Sequence, residues 1–348
     1  MRSDRPKVTA ADGPCTPLEY NLRGEPLNQS HLIGYDVIGD VHGHLEALDR
    51  LLKELGYRNE NGVYGHPERH AVFVGDLIDR GPDQVGVVRL VRAMAEARTA
   101  NVVVGNHEFN AIEYATPDPE HPGEYLRRHS DKNRAQHAKF LAQVGEGSAL
   151  HRKIIDWFMT IPMWCEVSLE DSRLRVVHAC WHNASIDALQ PVLTPDLALT
   201  PVAVVEGSRK GSPIYEAIEN ILKGPEVNMG GVAYRDRDGH PRRNARLQWW
   251  KTSARSLRDL ALIPSGARGA DNLPLPFLAD DPIDTNGLIY TDDVPVLFGH
   301  YWQTGTPGVY SPTTASVDFS VANEGHLVAY RWDGERELRN EHFHSVKA

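Results

Sequence analysis

Cysteine is scarce in this chain: three residues in 348, Cys15, Cys165 and Cys180, an odd number at unrelated spacings. That argues against a disulfide framework and a Cys-rich zinc knuckle, and leaves the three as expected small buried hydrophobes. Long apolar runs are missing too. Nothing approaches the roughly 18 uninterrupted apolar residues of a membrane span, and MRSDRPKVTAADGPCTPLEY (1–20) holds no apolar stretch of signal-peptide length. A cytoplasmic protein without a membrane partner is therefore expected. Excess positive charge is absent as well, and a formal net charge of −10 argues against a general binder of nucleic acid or anionic lipid. Apolar residues at 41% suffice for a soluble chain with a substantial core.

What is present is one junction used three times. YDVIGD (35–40), AVFVGD (71–76) and NVVVGN (101–106) are short β-type runs ending on Gly-Asp or Gly-Asn. Each leads into a helical pattern: LEALDRLLKEL with Leu45, Leu48, Leu52 and Leu55 on one face, QVGVVRLVRAMAEA after Pro82, and HEFNAIEY. Repeated strand, turn and helix predict parallel strands with right-handed crossovers and all carboxyl ends along one edge. Asp40, Asp76 and Asn106 then converge. Residues 131–160 are expected to be helical, with Leu150, Ile154, Trp157 and Phe158 as a buried stripe. MWCEVSLEDSRLRVVHAC (163–180) reads as a hairpin whose second strand delivers His178. DVPVLFGH (293–300) returns to the strand pattern and ends on His300, and the tail alternates as antiparallel strands. The expected organisation is an extended arm (1–30), a core in two parts (31–190 and 291–348), and an insertion or cap (191–290) without a sustained period.

The converging ends carry Asp40, His42, Asp76, Asp79, Arg80, Asn106, His107, His178 and His300. Carboxylates and imidazoles suit Mn²⁺, Fe²⁺ or Zn²⁺. A dinuclear site needs one anionic ligand bridging ions about 3.5–4 Å apart, which together clamp a phosphate and activate the attacking water. Asp76, on the middle junction, is the expected bridge. A lone Gly-Asp at a strand end is a turn. GDVHG (39–43), GDLIDRG (75–81), GNHE (105–108), HAC (178–180) and GH (299–300), in that order and each after an apolar strand, amount to more.

On these motifs, residues 35–182 and 293–334 resemble the calcineurin-like metallophosphoesterases, in the serine/threonine-phosphatase branch that includes bacterial symmetrical diadenosine-tetraphosphate hydrolases. The resemblance implies an α/β sandwich of mixed β-sheets flanked by helices. It implies that Asp40, His42 and Asp76 hold one divalent cation and Asp76, Asn106, His178 and His300 the second, with Mn²⁺ the first choice and Fe, Zn or Ni as alternatives. It also implies in-line attack of a metal-bridging hydroxide on phosphorus, His107 as general acid oriented by Asp79, and Arg80 and Asn106 on the phosphate. The expected activity is hydrolysis of phosphate monoesters; dinucleoside polyphosphates and RNA-end or cyclic phosphates are the alternatives. A phosphorylated small molecule, a nucleotide or a phosphoprotein is the expected partner.

Two departures stand against that pattern. Val104 occupies the place where eukaryotic protein phosphatases resemble each other in carrying Arg, so one phosphate-binding cation is missing. The tail around Asp318 is closer to the bacterial hydrolases, and the stretch between His178 and His300 aligns with neither group. Within it AYRDRDGHPRRNARLQWWK (233–251) carries Arg235, Arg237, Arg242, Arg243, Arg246 and Lys251 against two Asp. Two readings of this patch stand: a polyphosphate-steering surface with Trp249 or Trp250 stacking on a base, or a hairpin with a solvated basic face and packed indoles. Arg268 is a further candidate phosphate cation, and His44 and His182 are expected at the surface or behind the ligands.

Overall fold

The computed structural model describes residues 32–229, 232–235, 241–263, 267–269, 271 and 287–348. The arm at 1–30 and Cys15 lie outside them. Two sheets face each other. The first has six strands and is built around Gly34–Ile38, which pairs in parallel with Arg69–Phe73, which in turn pairs in parallel with Ala100–Val102. His326–Trp332 closes its other side antiparallel, flanked by Asp318–Phe319 and Phe343–Lys347. The second has five strands in the order Val309–Ser311, Thr314–Ser316, Val296–Phe298, Ser172–Val177 and Trp164–Leu169.

Burial on both faces explains the unbroken aliphatic runs of the first sheet. Val37, Val72 and Val103 meet Cys165, Val167, Leu174, Val176 and Leu297 of the second sheet in one buried cluster. Their neighbours Ile38, Phe73 and Val102 point the other way, into a larger cluster with the helices Leu45–Glu54 and Gln84–Glu96. Cys165 and Cys180 are buried and form no disulfide among the described residues, as their scarcity suggested.

Register places the site. Ile38 pairs with Phe73 and Phe73 with Val102, so Asp40, Asp76 and Asn106 follow two, three and four residues past one common edge. On the facing sheet Phe298 pairs with both Val177 and Ser316, which puts His178, His300 and Asp318 past the same edge. The sheets approach so closely there that a Cβ on Gly299 would lie 2.0 Å from the Asp40 carboxylate.

The structure refines two expectations. The stretch 131–160 forms two helices, Asp131–Val144 and Ala149–Phe158, parted by a turn in which Gly145 and Gly147 take left-handed φ angles of 71° and 72°. The region after 190 also holds regular structure, in Pro201–Gly207 and Pro213–Lys223. Thr200 and Ser212 cap these helices by accepting N–H bonds from Ala203 and Tyr215, with Pro at the first helical position. Ala203, Val204, Ile218, Ile221 and Leu222 join the larger cluster. No helix among the described residues is long and apolar enough to cross a membrane.

Candidate metal and phosphate site

The strand-end residues meet around Asp76. Its Oδ2 lies 3.6 Å from His42 Nε2 and 3.9 Å from His107 Nε2, and its Oδ1 lies 3.5 Å from His178 Nε2. Two groups of candidate ligand atoms gather within 4.8 Å, His42 with Asp76 and His107, and Asp76 with His178 and His300. Asp76 belongs to both. Asn106 joins through its Oδ1, 3.0 Å from His178 Nε2. Asp40 is buried beside them, its carboxylate accepting the His300 N–H at 3.2–3.3 Å.

The imidazoles are arranged as metal ligands are. His42 Nδ1 donates to Ile78 O at 2.9 Å and His178 Nδ1 to Val74 O at 2.8 Å, which fixes both tautomers and leaves each Nε2 lone pair facing the cluster. His42 Nε2 is buried with no protein partner. His178 Nε2 and Asn106 Oδ1 are two acceptors at contact distance, an arrangement that calls for a cation or a proton. On both counts the residues fit divalent cations. Burial drives His42 down to about 3, and His178 and His300 are also lowered by burial, so all three rings are neutral and able to ligate near neutral pH. Burial pushes Asp40 well up, reinforced by Asp318 and Asp76. Burial also opposes the charge on Asp76, but His178, His107 and His42 outweigh it and hold that carboxyl down.

The backbone is bent to achieve this. His42, Asp76, Asp79, Arg80, His300 and Trp302 all adopt left-handed φ angles, between 46° and 71°, that side chains with a Cβ seldom take. Glu108, to which the motif reading gave no role, staples the bend. Its fully buried carboxylate accepts N–H bonds from Asp76 (2.8 Å), Leu77 (2.9 Å) and Gly105 (2.9 Å) at the start of the helix Asn106–Ala115.

His107 is tied to Asp79 by an Nδ1 to Oδ2 bond of 2.7 Å. Burial lowers the affinity of His107 for its proton, yet Asp76 and Asp79 outweigh that and hold the imidazolium above the ordinary range. Arg80 is half-buried, with its guanidinium 5.3 Å from the centre of the Trp302 ring. Trp302 is 46% exposed, and its backbone N–H donates to the Asp318 carboxylate at 2.8 Å.

The basic stretch resolves in favour of packing. Trp249 and Trp250 are 1% and 3% exposed; the first donates to Ala179 O and the second stacks on Tyr310, so neither indole offers a face to a base. Arg242 and Arg243 face solvent, and Arg237 lies outside the described residues. Arg268 is exposed, its carbonyl accepting the Arg235 N–H. Arg246 is the member of the stretch that reaches the cluster, its Nη1 donating to His300 Nε2. His182 caps the helix Asn183–Leu189 by accepting the Ser185 N–H, and His44 is half-buried ahead of Leu45–Glu54.

Such a cluster, at the shared edge of two facing sheets, has the donor set of a site for divalent cations. Residues 35–196 match the family model for calcineurin-like phosphoesterases, so this part of the chain is similar to that family. A 73-residue stretch, 21% of the chain, is 51% identical to the asymmetrical bis(5'-nucleosyl)-tetraphosphatase PrpE of Oceanobacillus iheyensis and covers 29% of it. The PrpE of Bacillus subtilis is 40% identical over 88 residues, 25% of this chain and 36% of that one. The chain thus spans about a third of the length of the curated relatives it matches. Among solved structures, a protein serine/threonine phosphatase from Saccharomyces cerevisiae aligns over 92% of this chain and 82% of its own, with 14% identity and a TM-score of 0.47.

Proposed function

We propose that this protein is a metal-dependent phosphohydrolase acting on the anhydride bonds of nucleoside polyphosphates, with a dinucleoside tetraphosphate as the first substrate to test. The observation that carries the chemistry is the sharing of Asp76 between two groups of candidate ligand atoms, one with His42 and His107 and the other with His178 and His300. Asp40, His42 and Asp76 would hold one cation and Asp76, Asn106, His178 and His300 the other, with Mn²⁺ the first metal to try. Bound there, the cations would polarise phosphate oxygens and lower the pKa of an attacking water. His107, kept protonated by Asp79 at 2.7 Å, is placed to give a proton to the leaving oxygen. Arg80 would offer its planar fork to two phosphate oxygens, a geometry Lys could not reproduce. Arg246, beside His300, supplies a cation that the chain lacks at Val104.

The nucleotide reading is supported by what the PrpE relatives are named for and by Trp302, an exposed indole beside Arg80. Phosphate monoester hydrolysis, as in serine/threonine phosphatases, is the second reading, favoured by the shared GDLIDRG and GNHE motifs. The deciding experiment is Mn²⁺-dependent turnover on diadenosine tetraphosphate, a phosphopeptide and an aryl phosphate at matched concentrations. Preference for the dinucleotide is expected, with its products telling symmetrical cleavage to two ADP from asymmetrical cleavage to ATP and AMP. A tenfold or greater preference for the monoesters would overturn the substrate assignment.

A further inference from the structure

Asp79 serves two imidazoles. Its Oδ2 accepts from His107 Nδ1 at 2.7 Å, while its Oδ1 faces His137 Nδ1 at 2.9 Å, with Oδ2 3.2 Å from the same nitrogen. His137 comes from the helix Asp131–Val144, 58 residues away, and is 5% exposed. An Asp carboxyl has a broad, roughly two-fold preference about its last torsion, so one hydrogen bond leaves it free to swing. A second donor on the other oxygen removes that freedom. Asp79 and Arg80 themselves sit at left-handed φ angles of 67° and 69°.

The same helix grips the rest of the turn. Lys139 donates to Arg80 O, Gln143 donates to Pro82 O at 2.6 Å, and the Gln143 side-chain oxygen accepts the Gln84 N–H at 2.7 Å. A ring chosen only to fill space would not need its nitrogens. His137 packs against Tyr114 and Phe140, where an apolar side chain would fit, yet it keeps a buried Nε2 with no protein partner. The one hydrogen-bonded nitrogen of this imidazole faces Asp79.

We propose that His137 is a positioning residue for the proton-donating pair: it locks the Asp79 carboxylate so that Oδ2 stays aimed at His107. The inference rests on the proposed phosphohydrolase reading and on His107 as the proton donor. It makes His107, Asp79 and His137 a continuous hydrogen-bonded unit in which only His107 faces the substrate.

The test uses the full chain loaded with Mn²⁺ and two phosphate monoesters, p-nitrophenyl phosphate, whose leaving group departs without a proton, and an alkyl phosphate, whose leaving group needs one. His137→Leu keeps the bulk and removes the donor; His137→Asn restores an N–H near the Nδ1 position. Expected for His137→Leu is a loss of about tenfold or more in kcat on the alkyl ester, at most about threefold on the nitrophenyl ester, and an unchanged KM. His137→Asn should recover most of the loss. Equal losses on both esters, or none, would overturn the positioning role and leave His137 as packing. His107→Ala in parallel separates the failures: if it too shows no leaving-group dependence, the proton-donor reading falls, and a wild-type protein inactive on every phosphate ester and anhydride removes the phosphohydrolase reading itself.

Discussion

His178 on one sheet and Asp76 on the other stand 3.5 Å apart, Nε2 to Oδ1, and this contact joins the two halves of the site across the sandwich. Because Asp76 also stands 3.6 Å from His42, its two oxygens address the two ligand groups separately. On the proposed two-cation reading, Asp76→Asn removes the one anionic bridge, so both cations should bind weakly. Elemental analysis after desalting is expected to show less than one Mn²⁺ per chain, against two for the wild type. Two tightly held ions in the variant would contradict the bridge.

Glu108→Ala should act on stability before it acts on chemistry. Its carboxylate satisfies three buried N–H groups, and leaving buried donors unpaired costs on the order of 1–3 kcal/mol each before relaxation. A net loss of about 3 kcal/mol is expected in urea unfolding, with metal affinity falling in step because the 75–77 bend carries Asp76. Unchanged stability would mean that water takes over all three donors.

How much of this was legible in the sequence depended on range. The three junction strands could be read because a strand covered on both faces needs an unbroken aliphatic run, and the polar residue that ends each run stood out. His178 and His300 were legible for the same reason. Glu108, His137 and Arg246 were not, since each matters through partners 31 to 58 residues distant that no local pattern reveals. The helices Pro201–Gly207 and Pro213–Lys223 are a different kind of miss. Their Thr-Pro and Ser-Pro starts are N-cap signals present in the sequence, submerged there in the overall Pro and Gly content. The buried indoles of Trp249 and Trp250 show the limit of composition, because a basic, aromatic stretch looks the same whether its rings face a ligand or the core.

In the metal-free protein the buried carboxyls and the buried histidines pull stability in opposite directions below about pH 6.5. Burial raises the carboxyls of Glu108 to about 7, Asp318 to about 6 and Asp40 well above its ordinary value. A carboxyl raised in the folded state contributes stability that is complete below its unfolded pKa and lost as pH climbs from there through the folded one, so this contribution falls between about pH 4 and pH 7. The buried histidines act oppositely. His42, His178 and His300 are lowered in the folded state, and the stability they contribute above about pH 6.5 is lost as pH falls. Mn²⁺ requires the ionised carboxylates and neutral rings that prevail at higher pH. The rise in Tm on adding Mn²⁺ should therefore be several degrees larger at pH 8 than at pH 6, and an equal rise at both would detach these groups from the metal.

Trp302 separates the two substrate readings more sharply than any other residue. Trp302 is 46% exposed on a left-handed φ of 46°, its backbone N–H donates to the Asp318 carboxylate, and its ring lies against Arg80. If it stacks on a base, Trp302→Ala should raise KM for a dinucleoside tetraphosphate about tenfold, within the roughly 1–3 kcal/mol that a base gains on an aromatic ring, while inorganic tripolyphosphate is turned over as before. If it only braces Arg80, both substrates should suffer alike, because the guanidinium would lose its support whatever the phosphate carries. Trp302→Phe distinguishes the cases further: a smaller ring still stacks on a base, so most of the nucleotide KM should return. Parallel losses on nucleotide and tripolyphosphate would move Trp302 from substrate recognition to the support of Arg80 and return the monoester reading to first place.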